Sequence, residues 1–213
     1  MNSLIFNTTT PLCTVLLSTA QGVDVLTSDK LYQHGEKLLG FIDTLLSSHQ
    51  ITLAELDVIG LVNGPGSFVG TRLGCAVASA MAFGCEVPVV QISTLQALAQ
   101  SAYSREGCQA VTVIQDARMQ EVYFAEYQLS DDAIMCPINK QGLLSLSDPK
   151  LGKPSTKVLV GDAVGLWKER YSNKLYHCLE DIEIDVNALT ALVQLQVQHG
   201  GGVSAVEVAP CYS

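Results

Sequence analysis

Charged residues are few in this chain of 213 residues, and positively charged ones are the fewest. Lys and Arg together number 12 against 21 Asp and Glu, so the net charge is −9. A chain with this balance has no general positive field to hold a phosphate backbone, and we do not expect it to bind RNA on its own. Its apolar fraction of 48% is typical of a folded protein rather than a disordered one.

Paired cysteines and a leader sequence are also missing. The seven cysteines are scattered, odd in number and contain no Cys-x-x-Cys pair, which predicts reduced thiols in a cytoplasmic protein. The amino-terminal residues lack the basic stretch and the small-residue cleavage site of a signal peptide. The longest uncharged apolar run, residues 73–85, is shorter than the roughly 20 residues of a membrane span. We therefore expect no membrane attachment.

The chain is organised around a predicted strand, a glycine-rich turn and a helix between residues 57 and 83. Residues 58–62 form an apolar run of the kind found in strands that are buried on both faces. Residues 63–67 contain two glycines and a proline, which favour a sharp turn. From Gly70 onward the apolar spacing is helical.

The glycine-rich turn does not match the common catalytic motifs. A Walker A loop needs a lysine directly after its last glycine, but Thr71 follows Gly70 here. A dinucleotide-binding fingerprint needs two residues between its second and third glycines, but three separate Gly66 from Gly70. Ser67 lacks the flanking glycines of a nucleophile elbow. The chain also contains no His-Glu-x-x-His pair for zinc. We expect no catalytic residue, no metal site and no cofactor.

Several segments resemble the TsaB (YeaZ) family, whose members are the non-catalytic subunit of the bacterial machinery that makes threonylcarbamoyladenosine in tRNA. The most specific is residues 64–74, with the sequence GPGSFVGTRLG. Residues 87–98 and 116–125 also resemble the family, and so does the Pro-x-Tyr segment at residues 210–212. The departures at Asn7, Gly35 and Val69 affect local contacts more than the assignment.

The resemblance implies an α/β, actin-like ATPase fold (ASKHA, ribonuclease H-like) with two lobes. The predicted order of three strands, then helix, strand, helix, strand and helix agrees with it. We place the first lobe at residues 1–107 and a smaller, degenerate lobe at 108–213, with a long loop at 130–156. In ATPases of this fold, the turn after the first strand carries an aspartate that helps to hold the metal ion. The corresponding residue here is Asn7, whose amide lacks the anionic oxygen that Mg²⁺ prefers. We interpret Asn7, Thr8 and Thr9 as a degenerate nucleotide loop.

The family further implies a scaffold that pairs with the catalytic subunit TsaD and recruits the ATPase TsaE, so that tRNA is contacted only through the complex. We expect pairing through two helices, which predicts a partner-binding face made of Leu38, Phe41, Ile42, Leu45, Gly70, Leu73, Gly74, Val77, Ala78 and Met81. In this hypothesis a row of small residues four apart lets another helix approach closely. Gly74→Leu would then weaken pairing and leave the fold intact.

Three alternatives remain open at this point. A homodimer through the same helices would compete with the heterodimer. The small residues could instead pack against the protein's own sheet. The chain could also be a nucleotide-dependent kinase or hydrolase that uses the cleft of the actin-like fold.

Overall fold

The computed structural model describes residues 1–171, 175–180 and 182–212, which form two compact units. The first unit contains residues 1–94 and 189–212, and the second contains residues 95–188. This division differs from the predicted boundary at 107/108. Leu95, Leu98 and Ala102 of a helix pack with the strands of the second unit, whereas Val203 and Val208 return to the core of the first.

The first unit is built on a five-stranded sheet. Its strands are β1 (Ser3–Asn7), β2 (Thr14–Thr19), β3 (Gly22–Thr27), β4 (Val58–Val62) and β5 (Val89–Ile92), in the spatial order β3-β2-β1-β4-β5. The first three strands are antiparallel, and β4 and β5 continue the sheet in parallel with β1. Along the chain, three strands are followed by helix, strand, helix, strand and helix, as the resemblance to actin-like folds predicts. β1 and β4 are buried at every position, as central strands should be.

Helices cover both faces of this sheet because side chains alternate along each strand. α1 (His34–Ser48) and α2 (Phe68–Cys85) share a hydrophobic cluster with Leu4 and Phe6 of β1. Ile5 points the other way: a Cβ on Gly60 would lie within 3 Å of both Ile5 and Val193. Val193 belongs to α5 (Val186–Gln198), so that helix lies against the second face.

The second unit has a six-stranded sheet and two helices. Its path runs β11-β10-β6-β7-β8, and β9 also pairs with β7. The strands are β6 (Ala110–Arg118), β7 (Glu121–Leu129), β8 (Met135–Pro137), β9 (Gly142–Ser145), β10 (Val158–Val160) and β11 (His177–Leu179). The helices are α3 (Thr94–Glu106) and α4 (Val164–Tyr171), and the first turn of α5 also falls in this unit.

The segment 130–156, predicted as one long loop, contains two of these strands. β8 and β9 both pair antiparallel with β7, each over only three or four residues. Strands this short show too few alternations for sequence periodicity to detect.

The single tryptophan anchors the core of the second unit. Trp167 on α4 is fully buried between Tyr171 and Tyr176, with ring centroids 5.6 and 5.3 Å away. Its indole Nε1 donates a hydrogen bond to the carbonyl oxygen of Leu151 at 2.6 Å. This bond attaches the segment before β10 to α4.

We expect Trp167→Phe to lower the free energy of unfolding by about 2 kcal/mol, because the Leu151 carbonyl loses its donor and the smaller ring leaves a void. Urea unfolding followed by circular dichroism measures this loss. Leu166→Ala, at the partly exposed neighbouring position, should change stability by less than about 1 kcal/mol. Equal losses in the two variants would contradict the anchoring role.

Candidate partner-binding face

The start of α2 is held against the turn that follows β1. Ser67 caps the helix, since its Oγ accepts a hydrogen bond from the backbone nitrogen of Gly70 at 3.2 Å. The backbone nitrogen of Ser67 donates to the carbonyl oxygen of Thr9 at 2.8 Å. A Cβ on Gly66 would collide with the same carbonyl. Glycine at this position therefore allows the two turns to touch.

The row of small residues on α2 faces this turn and not the solvent. A Cβ on Gly70 would collide with the carbonyl oxygen of Thr8, and one on Gly74 would lie 2.6 Å from Thr8 Oγ1 and 3.2 Å from Leu61 Cδ1. Ala78 is fully buried. The expectation that this row meets a partner helix is therefore wrong, and Gly74→Leu would disturb the fold itself.

The other predicted face residues also belong to the core of the first unit. Leu38, Ile42 and Leu45 are buried in it. The remaining four are half-buried and pack against its edge: Phe41, Leu73, Val77 and Met81. Apolar periodicity identifies the side of a helix that is buried, and here that side is buried within the chain.

A different stripe of α2 is exposed. Val69, Arg72, Ala76, Ala80 and Phe83 follow one another at intervals of three or four residues, opposite the glycine row. Val69 and Phe83 are 72% and 76% exposed, and the two alanines between them are exposed as well. The sequence pattern did not single out this stripe, because apolar spacing marks the buried side of a helix.

α1 adds a smaller exposed portion. Leu39 is 62% exposed and is accompanied by the exposed glycines Gly35 and Gly40. We call the set Leu39, Val69, Arg72, Ala76, Ala80 and Phe83 the outer face. No segment in the described part of the chain buries these six side chains.

Arg72 is the one charged residue of α2. Its guanidinium carbon lies 3.3 Å from the centroid of the Phe68 ring and 5.3 Å from that of Tyr212. Cation–π contacts of this kind hold the side chain in place without neutralising its charge. The outer face therefore combines apolar groups with one oriented arginine.

The turn after β1, predicted as a degenerate nucleotide loop, is closed. Asn7, Thr8 and Thr9 are at most 2% exposed. The Asn7 side chain donates to Thr10 Oγ1 at 2.7 Å and accepts from the nitrogen and hydroxyl of Thr9 at 2.9 and 2.8 Å. Thr8 Oγ1 donates to the carbonyl of Gly70 at 2.7 Å. The polar groups of the turn are thus satisfied within the protein.

The edge of the sheet beyond β4 and β5 is also occupied. In open α/β sheets, ligands bind in the crevice at the carboxyl ends of the strands. Here Asn63 donates from its side chain to Gln91 Oε1 and to the carbonyl of Ala209, at 3.1 and 3.0 Å. The backbone nitrogen of Cys211 donates to the carbonyl of Asn63 at 2.8 Å. Residues 209–211 of the same chain lie where a ligand would, which no sequence signal indicated.

Comparison with known proteins identifies the family of this chain. The family model described as "TsaD: tRNA N6-adenosine threonylcarbamoyltransferase" matches residues 28–141, which is more than half of the chain and includes α1 and α2. The tRNA threonylcarbamoyladenosine biosynthesis protein TsaB of Escherichia coli strain K12 is 34% identical over 134 residues. The TsaB protein of Haemophilus influenzae is 40% identical over 93 residues. The chain belongs to the TsaB (YeaZ) family.

The matched segments cover 63% and 44% of this chain, and only 58% and 39% of the two relatives. A solved structure, YeaZ from Pseudomonas aeruginosa, covers more: it aligns with 100% of this chain and 99% of its own, with a TM-score of 0.88 at 27% identity. A second structure, described as similar to peptidase YeaZ, has a TM-score of 0.87 at 28% identity. The actin-like fold predicted for this TsaB-family chain is confirmed.

The described part of this TsaB-family chain contains no group of three or more His, Cys, Asp and Glu side chains that could hold a metal ion. None of the seven cysteines, all of which lie in the described ranges, forms a disulfide bond. Burial raises the pKa of the Cys13 and Cys75 thiols to about 11, so both stay protonated and unreactive near neutral pH.

One helix, α2, is long and apolar enough to cross a membrane by length and composition, with 18 residues and a mean hydropathy of 1.4. A core helix of a folded unit passes the same test. Since Gly70, Gly74 and Ala78 bury one side of α2 against β4 and the turn after β1, we interpret it as a core helix with one exposed stripe.

We expect Gly70→Ala to lower the free energy of unfolding by about 1–3 kcal/mol, because the added methyl meets the backbone of Thr8, which cannot rotate away. Gly84→Ala is the matched control on the same helix, where a Cβ meets nothing within 4 Å. It should be neutral or stabilise slightly, within about 1 kcal/mol. Thermal and urea unfolding distinguish the two, and a harmless Gly70→Ala would contradict the close contact.

His34, the first residue of α1, makes stability depend on pH. It is buried, neither ring nitrogen has a hydrogen-bond partner, and burial lowers its pKa from the ordinary 6.5. A lowered pKa means that the unfolded state binds a proton on His34 more readily than the folded state does. Stability is therefore lost as pH falls through about 6.5, the ordinary pKa of histidine, and below. His34→Phe should therefore show a shallower loss of stability between pH 7.5 and 5 than the wild type.

The control for this prediction is His199→Phe, because His199 is exposed at the end of α5. Urea unfolding at several pH values should give it the wild-type slope. A His34→Phe slope equal to that of the wild type would show that His34 does not sense pH.

Proposed function

We propose that this protein is a non-catalytic scaffold subunit in the biosynthesis of threonylcarbamoyladenosine in tRNA. In this proposal it pairs with the catalytic subunit TsaD through the outer face of α1 and α2. The observation that carries the proposal is the exposed stripe of α2, which the described part of the chain leaves uncovered. The E. coli and H. influenzae relatives are named for the same biosynthesis.

The shape of the stripe suits a partner helix. Ala76 and Ala80 lie one turn apart at its centre, so a second helix can approach them closely and gain dense packing. Val69 and Phe83 stand at its ends, roughly 21 Å apart along the helix axis at 1.5 Å per residue. Aromatic and arginine side chains often dominate interface energies, which makes Phe83 and Arg72 the expected anchors.

The partner is expected to present the same elements. The TsaD family model matches residues 28–141 of this chain, a range that contains α1 and α2, so a TsaD protein has equivalent helices. Two similar helix pairs can pack about an approximate two-fold axis. A second copy of this chain offers the same surface, and the homodimer would then compete with the heterodimer for one face.

Two further features support a role without catalysis. The turn after β1 satisfies its own polar groups, and residues 209–211 occupy the edge of the sheet where a nucleotide would bind. The net charge of −9 favours contact with tRNA only through the complex. The absence of disulfide bonds among the seven described cysteines favours a cytoplasmic location. Recruitment of the ATPase TsaE to the pair rests on the family resemblance.

We expect Ala76→Arg to abolish or strongly weaken pairing with TsaD, because a long charged side chain at the centre of the stripe holds the helices apart. Phe83→Ala should weaken pairing by about tenfold or more through the loss of an anchor. Size-exclusion chromatography with light scattering, on each variant alone and mixed with TsaD, measures both effects. Circular dichroism should show wild-type folding, since both positions are exposed.

The control is Gln128→Arg, which adds the same charge at an exposed position of β7. It should pair normally. Normal pairing of Ala76→Arg would show that the outer face is not the interface. ATP hydrolysis by the purified chain that is lost in Asn7→Ala and kept in Ala76→Arg would overturn the non-catalytic role in favour of the nucleotide-dependent enzyme.

A further inference from the structure

A crevice of about 390 Å³ lies within the second unit, on the side of β7 that β9 covers. Phe124 and Leu144 form its apolar part. Three lysines on two different loops line it: Lys140 between β8 and β9, and Lys150 and Lys153 before β10. Its volume lies within the range of sites that bind small molecules.

The crevice lies in a segment with a net positive charge, although the chain as a whole is negatively charged. Residues 139–157 contain four of the 12 basic residues and one acidic residue, Asp148, so the rest of the chain has eight basic and 20 acidic residues. Lys140, Lys150 and Lys153 are exposed, and none of them forms an ion pair with another described residue. The Asp148 carboxylate accepts a hydrogen bond from the backbone nitrogen of Lys150 at 2.8 Å.

A buried carboxylate holds the two lysine-bearing loops together. Glu126 is 7% exposed, and its Oε1 accepts hydrogen bonds from the backbone nitrogen of Ser155 at 2.7 Å and from Thr112 Oγ1 at 3.4 Å. Its Oε2 accepts from Asn139 Nδ2 at 2.6 Å, and Asn139 Oδ1 accepts from the Glu126 backbone nitrogen at 3.1 Å. Through these bonds Glu126 holds the loop that carries Lys140 and the loop that carries Lys150 and Lys153 in position.

We propose that this crevice binds a phosphate-bearing ligand of about nucleotide size. The lysine ammonium groups provide donors and charge for the phosphates, and Phe124 and Leu144 provide an apolar surface for the rest of the ligand. Two sources have this chemistry, a free nucleotide and the backbone of a bound RNA. The proposal is independent of pairing through α2, because the residues that carry it all belong to the second unit.

The test is a titration of the full-length, ¹⁵N-labelled protein with ADP at low salt, followed by backbone amide shifts. We expect saturable shifts at Gly142 and Ser155, which line the crevice. Lys153→Glu should weaken the fitted affinity by about tenfold, since it replaces attraction by repulsion at short range. Lys30→Glu makes the same charge change in the first unit, at an exposed site, and should leave the affinity within about twofold.

A parallel titration with a short RNA oligonucleotide identifies the source. Shifts at the same amides that are stronger than those with ADP, and that weaken steeply with salt, assign the site to an RNA backbone. Stronger binding of ADP assigns it to a free nucleotide. Absence of saturable shifts at these amides with either probe, or equal losses in Lys153→Glu and Lys30→Glu, would overturn the proposal.

Discussion

The contact between Gly70 and the backbone carbonyl of Thr8 is the constraint on which the first unit depends. It brings the start of α2 onto the turn that follows β1, a distance that any side chain at residue 70 would prevent. The same approach continues at Gly66 and Gly74, so the helix lies along the sheet over several turns. Because interiors are close-packed, fixing one side of a helix in this way also determines which side is left for solvent or a partner.

This orientation explains two properties together. The turn after β1 is buried against α2 and satisfies its polar groups internally. The opposite side of α2 then carries Val69, Ala76, Ala80 and Phe83 into solvent. Fold similarity alone does not identify this exposed surface, because one fold can support many different functions.

The second unit has a different character. Its core is centred on Trp167 and on strands paired around β7, and a lysine-lined crevice in it is organised by Glu126 and Asn139. The sequence pattern of the surrounding segment did not predict this site, because its strands are short and its three crevice lysines are spread over residues 140–153. Only folding brings Lys140 beside Lys150 and Lys153. A chain with a net charge of −9 can thus hold a local positive site that its composition does not reveal.

The sequence by itself determined the family and the order of strands and helices along the first unit, because these follow from local periodicity and from a glycine-rich motif. The row of small residues on α2 is a site of close approach, although the neighbour is not the partner helix that was predicted. Tertiary structure alone decided what approaches it. Whether Gly74 and Ala78 meet a partner or the protein's own sheet depends on where distant residues such as Thr8 and Leu61 come to lie, and helical spacing is the same in both cases.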